Sequence, residues 1–386
     1  MNLRQVYLDN SSTTKVLDEA AQTVFDIMTV YFGNPSSLHG KGIEAEKIMK
    51  QAREKVAQVL GVDPGEIYFT SGGTESNNWA IKGAAHSLRR QGNHIITTYI
   101  EHPSVLEVFK ALENEGFKAT YIKVNKEGFI DINELKNSLT PETILVSVMY
   151  VNNEVGSIQP IEDIAEIIKT HNKNILFHVD AVQAFGKMPL VPNLKGIDLL
   201  SLSGHKIYGP KGIGALFVRD KVRIEPLLHG GGQESGLRSG TENMPGIAGL
   251  GVAAEACFNN MINWQSKMQE LKKYLKDGIL KEIPGAVLNG PEIGAPHILN
   301  ISFLGTRGEI LLHALEAKGI YVSTGSACSS HKSGTSHVLR ALGKSPEEQD
   351  SALRFSLSPF LSLDDMDYTI QVLTEEVKEI RKFVRR

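Results

Sequence analysis

The feature that most constrains the fold is a regular alternation of short apolar runs with amphipathic stretches over residues 67 to 218. Runs rich in Ile, Val, Leu and Phe recur at strand length, and apolar residues at helical spacing fill most of the intervals. Strands are predicted at 67–70, 94–98, 118–124, 144–149, 175–179, 197–202 and 213–218. This order favours an α/β fold, in which a mostly parallel seven-stranded sheet is covered by helices on both faces.

The sequence also predicts a smaller α+β region at the C-terminal end. A long helical stretch over 246–280 is expected to be interrupted at Asn259 and Asn260. Further strands are predicted at 286–288, 298–303 and 352–357, with helices at 309–318 and 364–383. We expect the N-terminal strand, 5–8, to pair with this region. The predicted large domain is therefore 15–258, and residues 1–14 and 259–386 form the small one.

Composition excludes several classes of protein. The formal net charge is −3, so nothing favours nucleic acid or an anionic membrane as a direct partner. No apolar run approaches the roughly 18 residues of a spanning helix, and the first residues have no apolar signal core. Cys257 and Cys328 are the two cysteines, which excludes a disulfide framework and fits a reducing compartment. We expect a cytoplasmic enzyme.

Two charged residues follow predicted strands at the end where open α/β sheets bind ligands. Lys206 lies in the polar segment after the apolar run 197–200, and an amine there suits a Schiff base. A surface lysine in a Gly-rich loop fits this segment equally well. Asp180 closes another strand, where a carboxylate needs a cationic partner, either a protonated pyridinium nitrogen or a structural arginine. Gln183 could donate to an oxygen of the same ligand.

Two further segments follow strands in the same way. The sequence SGGTESNN, 71–78, puts a glycine pair between a strand and a helix, which suits a single phosphate, although Thr74 as a simple helix cap fits as well. It lacks the Gly-Lys-Ser/Thr ending of a P-loop. His102 precedes Pro103 at a helix start, where an imidazole could stack on a ring or move protons, although most lone histidines do neither. Together with Lys206 and Asp180, these segments predict a pyridoxal-phosphate (PLP) site.

The segment 322–335 is small, polar and Gly-containing, so a mobile loop is predicted. Cys328 lies in it, either as a thiolate nucleophile or as an incidental cysteine. Cys328 and His331 do not make a metal site, since no matching ligand pair occurs elsewhere. Cys257 lies in an Ala-rich helical stretch and is predicted to be a packing residue.

Over nearly its full length the chain resembles the NifS/IscS-like cysteine desulfurases, fold-type I PLP-dependent enzymes of the class-V aminotransferase family. The motifs that carry the resemblance include SGGTESNN (71–78), HVDAVQ (178–183), SGHK (203–206), RSGTEN (238–243) and GSAC (325–328). Further matching segments are 7–10, 33–39, 101–102, 152–156, 230–233 and 354–357. A series of this length in the right order is highly specific.

The resemblance implies roles around the PLP ring. Lys206 would hold PLP as a Schiff base and move protons at the substrate Cα. Asp180 would pair with the pyridinium nitrogen, and Gln183 would bond the phenolic oxygen. His102 would stack on the ring and act in acid–base chemistry.

The resemblance also implies how phosphate and substrate are held. The residues expected at the phosphate are Gly73, Thr74, Ser203 and His205. Thr241 would reach it from the other subunit of a homodimer. Asn153 is expected at both cofactor and substrate, and Asn34 and Arg354 would orient the substrate, with the Arg354 guanidinium suited to its carboxylate. No metal is expected.

The implied reaction removes sulfur from L-cysteine, giving L-alanine and a persulfide on Cys328 that passes to an iron–sulfur scaffold or a tRNA-thiolation enzyme. Ser235 replaces an arginine common in relatives, and Ser358-Pro359 replaces a frequent Gly-Arg. The chain ends at Arg386 without the tail that docks a scaffold in some members, so the acceptor stays open. Selenocysteine lyase, ordinary aminotransferase and inactive sulfur-carrier or scaffold protein are the alternatives.

Overall fold

The computed structural model describes residues 4–190, 196–324 and 336–383. The described strands are β1 (Val6–Tyr7), β2 (Ile67–Thr70), β3 (His94–Thr98), β4 (Lys118–Ile122), β5 (Thr143–Met149), β6 (Leu176–Asp180), β7 (Leu199–Ser203), β8 (Gly214–Val218), β9 (Ala286–Asn289), β10 (Ile298–Phe303), β11 (Ile320–Tyr321) and β12 (Ala352–Ser356). The described helices are α1 (Asp18–Thr29), α2 (Gly40–Leu60), α3 (Gly73–Leu88), α4 (Pro103–Asn114), α5 (Ile132–Ser138), α6 (Ile161–His171), α7 (Met244–Glu282), α8 (Gly308–Glu316), α9 (His337–Ala341), α10 (Pro346–Asp350) and α11 (Leu363–Phe383).

The central element is a seven-stranded sheet with the order β2-β8-β7-β6-β5-β3-β4. The pairs from β7 through β6, β5 and β3 to β4 are parallel, and β8 runs antiparallel to both β2 and β7. The predicted mostly parallel seven-stranded sheet is confirmed.

Alternation of side chains explains why this sheet is covered on both faces. Leu145 and Leu199 belong to the apolar core under α3 and α4, where Trp79 and Phe109 are buried. Their chain neighbours Val146 and Leu200 point to the opposite core. Successive side chains of a strand face opposite ways, so continuous apolar runs such as that of β5 need helices on both sides.

A smaller antiparallel sheet, β12-β10-β9, packs with α8, α11 and the second half of α7 around its own apolar core. The N-terminal strand joins this region as predicted, because β1 pairs with β11 and Val6 lies opposite Ile320. Leu8 is buried in the same core.

The predicted interruption of the long helix is wrong. The helix α7 runs without a break from Met244 to Glu282, and the Asn260 side chain donates to the carbonyl of Ala256, 2.9 Å away and one turn back. Packing on α1 and α2 at one end and on α11 at the other outweighs the weak helix propensity of two asparagines. Residue 258 lies inside α7, so no end of this helix marks the predicted domain boundary. The boundary therefore stays a prediction. Among the described residues, no helix has the length and apolar character needed to cross a bilayer.

Candidate active site

Neighbouring strands of the large sheet end at one edge and bring several of the predicted site residues together. Asp180, the last residue of β6, pairs in register with Ser201 of β7. The strand β7 ends at Ser203, and a short 3-10 turn, Gly204–Lys206, follows. Asp180, Ser203 and Lys206 therefore lie together at the carboxyl edge of the sheet, where parallel strands place ligands.

Lys206 is part-buried, and its Nζ donates to two backbone carbonyls of the N-terminal segment. The carbonyl oxygen of Ser11 is 2.6 Å away and that of Ser12 is 2.8 Å away. A solvated surface lysine would not be held in this way, so that alternative is wrong for Lys206. The N-terminal segment thus positions the amine at the sheet edge.

Asp180 is buried and has no arginine beside it in the described part of the chain. Its Oδ2 accepts from Asn77 Nδ2 at 2.7 Å, and its Oδ1 accepts from the backbone N–H of Val182 at 3.0 Å. The structural-arginine alternative is therefore wrong, and this buried carboxylate can receive a hydrogen bond from a protonated ring nitrogen. Asn77 was not assigned a role from sequence; its position one turn into α3 gave no signal.

The same asparagine connects Asp180 to His102. Asn77 Nδ2 also donates to Ser104 Oγ at 2.8 Å, and Ser104 Oγ lies 2.8 Å from His102 Nδ1. The backbone N–H of Ser104 donates to His102 Nδ1, so the neutral ring carries its proton on Nε2. Burial lowers the pKa of His102, against the opposing charge of Asp180. His102 is therefore held as a neutral imidazole near pH 7.

The start of α3 has the form of an anion cradle. The helix cap is Gly72, with no side-chain capping bond, so the expectation that Thr74 caps the helix is wrong. A Cβ at Gly73 would lie 2.7 Å from Val182 Cγ2 and 3.7 Å from Ser203 Cβ, so a side chain there would crowd the sheet edge. Uncapped first-turn N–H groups and the positive helix end favour a phosphate.

His205 and Gln183 lie beside this cradle. His205 Nδ1 is 3.2 Å from Thr13 Oγ1, and burial with the nearby Lys206 lowers the pKa of His205 to about 4. His205 would therefore meet a phosphate as a neutral hydrogen-bonding group. Gln183 is buried, and its Nε2 donates to the Ser11 carbonyl at 2.8 Å.

Arg354 forms the opposite side of the candidate site and comes from β12 of the smaller sheet. Its Nη2 donates to Asp9 Oδ1 at 2.9 Å and to Ser12 Oγ at 2.7 Å, and its Nη1 donates to the carbonyl of Asn153 at 2.9 Å. Arg354 Nε is buried and has no hydrogen-bond partner among the described residues. The predicted pair of Arg354 and Asn153 is brought together, through the Asn153 backbone. Asp9 was not assigned a role from sequence.

Two predicted residues, Asn34 and Thr241, are not joined to this group. Asn34 is exposed between α1 and α2, and its Oδ1 accepts from the N–H of Ser36 at 2.8 Å. Thr241 is exposed and lines a surface cavity with Ser71. Cys328 lies outside the described residues. Cys257 is buried in α7, as predicted.

These residues fit PLP. The glycine cradle at Gly73 suits its phosphate, the buried Asp180 carboxylate suits its ring nitrogen, and Lys206 suits its aldehyde. The neutral imidazole of His102 can stack on the face of the PLP ring. Within the described ranges, no group of three or more His, Cys, Asp or Glu residues is arranged to hold a metal ion.

Comparison with known proteins gives the family. The Aminotransferase class-V pattern matches residues 6–368. The cysteine desulfurase IscS of Clostridium botulinum (strain Hall) is 47% identical over 382 residues, covering 98% of this chain and 96% of that protein. A solved NifS-like protein superposes with a TM-score of 0.92 at 42% identity, covering 97% of this chain and 100% of that one. A structure described as SspA in complex with cysteine has a TM-score of 0.81 at 38% identity, covering 92% of this chain and 99% of that one.

Sequence motifs, sheet-edge geometry and full-length similarity thus agree on fold-type I PLP-dependent architecture. The chain belongs to the class-V aminotransferase family, among its NifS/IscS-like cysteine desulfurases.

Proposed function

We propose that this protein is a PLP-dependent cysteine desulfurase that converts L-cysteine to L-alanine and leaves the sulfur as a persulfide on Cys328. The observation that carries the proposal is the meeting of Asp180, Lys206 and the α3 cradle at one sheet edge, with Arg354 joined to Lys206 through Ser12. The similarity to IscS and the cysteine named in the SspA structure support cysteine as the substrate.

On this proposal, PLP supplies an electron sink for the substrate Cα when bound. The phosphate is held by the α3 N–H groups at Gly73 and Thr74, with Ser203 and His205 beside them. Asp180 would accept a hydrogen bond from the protonated ring nitrogen, which would keep positive charge on the ring. His102 would stack on the ring, and Lys206 would be the amine that binds the cofactor and moves protons at the substrate Cα.

Arg354 is the proposed partner of the substrate carboxylate. Asp9, Ser12 and the Asn153 carbonyl fix the plane of the guanidinium before substrate arrives, which lowers the entropic cost of binding. We also propose that Asn153 and Asn34 contact the substrate.

Covalent geometry supports Cys328 as the thiol that takes the sulfur. Ser323 exchanges two backbone hydrogen bonds with Arg354, at 3.2 and 2.7 Å. Cys328 follows Ser323 by five residues. Five residues span at most about 18 Å, so this chain connection keeps the thiol within reach of the Arg354 side of the site.

We infer that the site is completed by a second copy of the chain. The helix α1 and the segment after it expose Phe25, Met28, Phe32 and Leu38 at 60, 65, 68 and 97%. Large apolar side chains exposed together within one stretch of chain are typical of an interface. Asn34 lies within this segment and Thr241 is also exposed, which fits the proposal that Thr241 reaches the phosphate of the partner subunit.

The sulfur acceptor that we propose is an iron–sulfur scaffold or a tRNA-thiolation enzyme, as for the IscS-like relatives. We place the protein in the cytoplasm, on the cysteine usage of its sequence.

The test is the formation of L-alanine and of protein persulfide from L-cysteine, with the PLP absorption band recorded. Wild type is expected to form both products, and Cys328→Ala is expected to keep the band and lose the persulfide. Cys257→Ala is the matched control, since Cys257 is buried in α7, and it is expected to keep both products. Alanine formation at the wild-type rate by Cys328→Ala would overturn the role of Cys328 and favour a lyase or an aminotransferase.

A further inference from the structure

A second buried lysine lies behind the sheet-edge residues, and the proposed chemistry does not use it. Lys187 is 3% exposed, and its Nζ donates to Gln183 Oε1 at 3.2 Å. No carboxylate pairs with Lys187 among the residues that the structure describes. A buried ammonium without a counter-charge is costly, and a methionine of similar length would pack there without that cost.

The charged and titratable groups around Lys187 oppose its protonation. Burial, together with the positive charges of Lys206 and Arg354, lowers the pKa of Lys187 to about 7, while the Cys257 thiol acts in the other direction. Because a buried amine at this position lowers the stability of the fold, its hydrogen bond to Gln183 calls for a functional explanation.

The contacts of Gln183 define the orientation of its amide. Oε1 faces two nitrogen donors, Lys187 Nζ at 3.2 Å and His297 Nε2 at 3.3 Å. Nε2 faces an acceptor, the Ser11 carbonyl, at 2.8 Å. Reversing the amide would place its NH₂ against two donors and its oxygen against a carbonyl. Burial holds the pKa of His297 well below its usual range, so the ring is neutral, and with its proton on Nε2 it donates to Gln183 Oε1.

The Ser11 carbonyl connects this arrangement to the reactive amine. It accepts from Gln183 Nε2 and also from Lys206 Nζ, at 2.6 Å. Lys187, Gln183, the Ser11 carbonyl and Lys206 therefore form one continuous series of hydrogen bonds. A rotation of the Gln183 amide would disturb the carbonyl that holds Lys206.

We propose that Lys187, together with His297, is a positioning residue that fixes the Gln183 amide with Nε2 directed to the Ser11 carbonyl, and through it sets the electrostatic environment of Lys206. The inference deepens the proposed function and rests on it, because bound PLP makes the state of Lys206 observable.

The test is a pH titration of the absorption band of the PLP-loaded enzyme, without substrate. In Lys187→Met the pH midpoint of the band is expected to rise by about half a unit to one unit, the size of one hydrogen bond. The rise follows because a Gln183 amide that Lys187 no longer fixes donates less to the Ser11 carbonyl, which then accepts more strongly from the protonated nitrogen of Lys206.

Lys272→Met is the matched control. Lys272 is 8% exposed and its Nζ donates to the Ala295 carbonyl at 2.8 Å, so it is a buried lysine on a backbone carbonyl and has no contact with Gln183. Its midpoint is expected to equal that of wild type. If Lys187→Met does not load PLP, Lys187→Leu gives the same measurement.

A double variant tests whether Lys187 acts through Gln183. If it does, Lys187→Met/Gln183→Ala has the midpoint of Gln183→Ala alone, because the amide is already gone. A wild-type midpoint in Lys187→Met, or shifts that simply add in the double variant, would overturn the inference. A wild-type protein that binds no PLP would instead overturn the proposed function.

Discussion

The two sides of the candidate site are built in different ways. The sheet-edge side, defined by Asp180, Ser203 and Lys206, comes from adjacent strands of one parallel sheet and the turn after them. The Arg354 side comes from segments far apart in sequence, since Arg354 bonds Asp9 across 345 residues and Asn153 across 201. Residues of the N-terminal segment contact both sides, because Ser12 accepts from Lys206 through its carbonyl and from Arg354 through its hydroxyl.

Substitutions on the two sides should therefore have two different kinds of effect. The backbone ladder fixes the sheet-edge residues, so a change of side chain there alters charge at the cofactor and leaves the frame in place. Hydrogen bonds between distant segments fix the Arg354 side, so a change there alters both substrate binding and the joining of the two regions. We expect kcat to report the first side and KM to report the second.

The largest effect is expected from Asp180→Asn. The amide keeps the shape of Asp180 but cannot hold a proton on the ring nitrogen, and loss of one such electrostatic contact lowers kcat by about 10²–10³-fold. KM for L-cysteine should change much less. The measurement is steady-state alanine formation with PLP occupancy checked by absorbance.

Asp198→Asn is the control for Asp180→Asn. Asp198 is 6% exposed and accepts from Lys169 Nζ at 2.5 Å and from the N–H of Phe177 at 2.7 Å, away from the sheet edge that carries Lys206. This variant should lose stability and keep its kcat. Equal losses of kcat in the two variants would mean that Asp180 acts only through folding.

The next largest effect is expected from Arg354→Lys. Lysine cannot reproduce the three hydrogen bonds to Asp9, Ser12 and Asn153 or the fork that receives a carboxylate. We expect kcat/KM to fall by about 30- to 150-fold, mainly through KM, which corresponds to roughly 2–3 kcal/mol. Kinetics over a range of L-cysteine concentrations would show this.

A matched change for Arg354→Lys is Arg219→Lys. Arg219 is part-buried and bonds the Ile197 carbonyl and Asp198. Arg219→Lys removes a guanidinium elsewhere in the fold, and the KM of this variant should stay at the wild-type value. A fall in kcat at unchanged KM in Arg354→Lys would contradict the assignment of Arg354 to the substrate carboxylate.

A smaller effect is expected from Asp9→Asn. The amide can still accept a hydrogen bond from Arg354, but the charge that orients the guanidinium is lost. KM should rise by about two- to five-fold with kcat little changed, as expected for a partly exposed ion pair. A fall in KM would show instead that Asp9 competes with the substrate carboxylate for Arg354.

The sheet-edge side was predictable from sequence to a much greater extent than the Arg354 side. Apolar runs ended in Asp180 and in the segment that carries Lys206, and the rule for parallel strand ends was enough to place them together. The structure confirms the strands near their predicted positions and pairs β1 with the smaller region.

Contacts that depend on three-dimensional packing were not predictable in this way. The bond from Asn77 to Asp180 joins residues 103 apart, and the pair of Asp9 and Arg354 is more distant still. Helix propensity suggested a break at Asn260, but packing on both ends of α7 prevents it. The cap of α3 is Gly72, whose φ of 151° suits glycine, and its backbone lies against Gly214, an approach that no local pattern encodes.

The last comparison concerns stability in place of kinetics, and it uses one buried carboxyl group from each side. Glu101 lies beside His102 with no exposed surface, and its Oε1 accepts from Thr98 Oγ1 and from the N–H of Met149. Its Oε2 has no hydrogen-bond partner in the part of the chain that the structure describes. Burial, with Asp180 adding to it, raises the pKa of Glu101 to about 8. On the other side, burial raises the pKa of Glu154 to about 7, while Ser336 and Arg354 oppose the rise.

A carboxyl group whose pKa is raised on folding stabilises the protein at low pH and loses that contribution as pH rises. The unfolded chain releases the proton near pH 4.5, whereas folded Glu101 keeps it to about pH 8. Between these values the wild-type free energy of unfolding should fall by up to about 1.4 kcal/mol per pH unit from this group.

Glu101→Gln removes that slope, so its stability relative to wild type should increase from pH 5 to pH 8 and then level off. For Glu154→Gln the increase should end near pH 7, because the folded pKa is lower. Chemical denaturation of the three proteins at pH 5, 6, 7 and 8 measures both slopes, and a difference that stays constant with pH would show that these carboxyl groups are ionised in the folded protein.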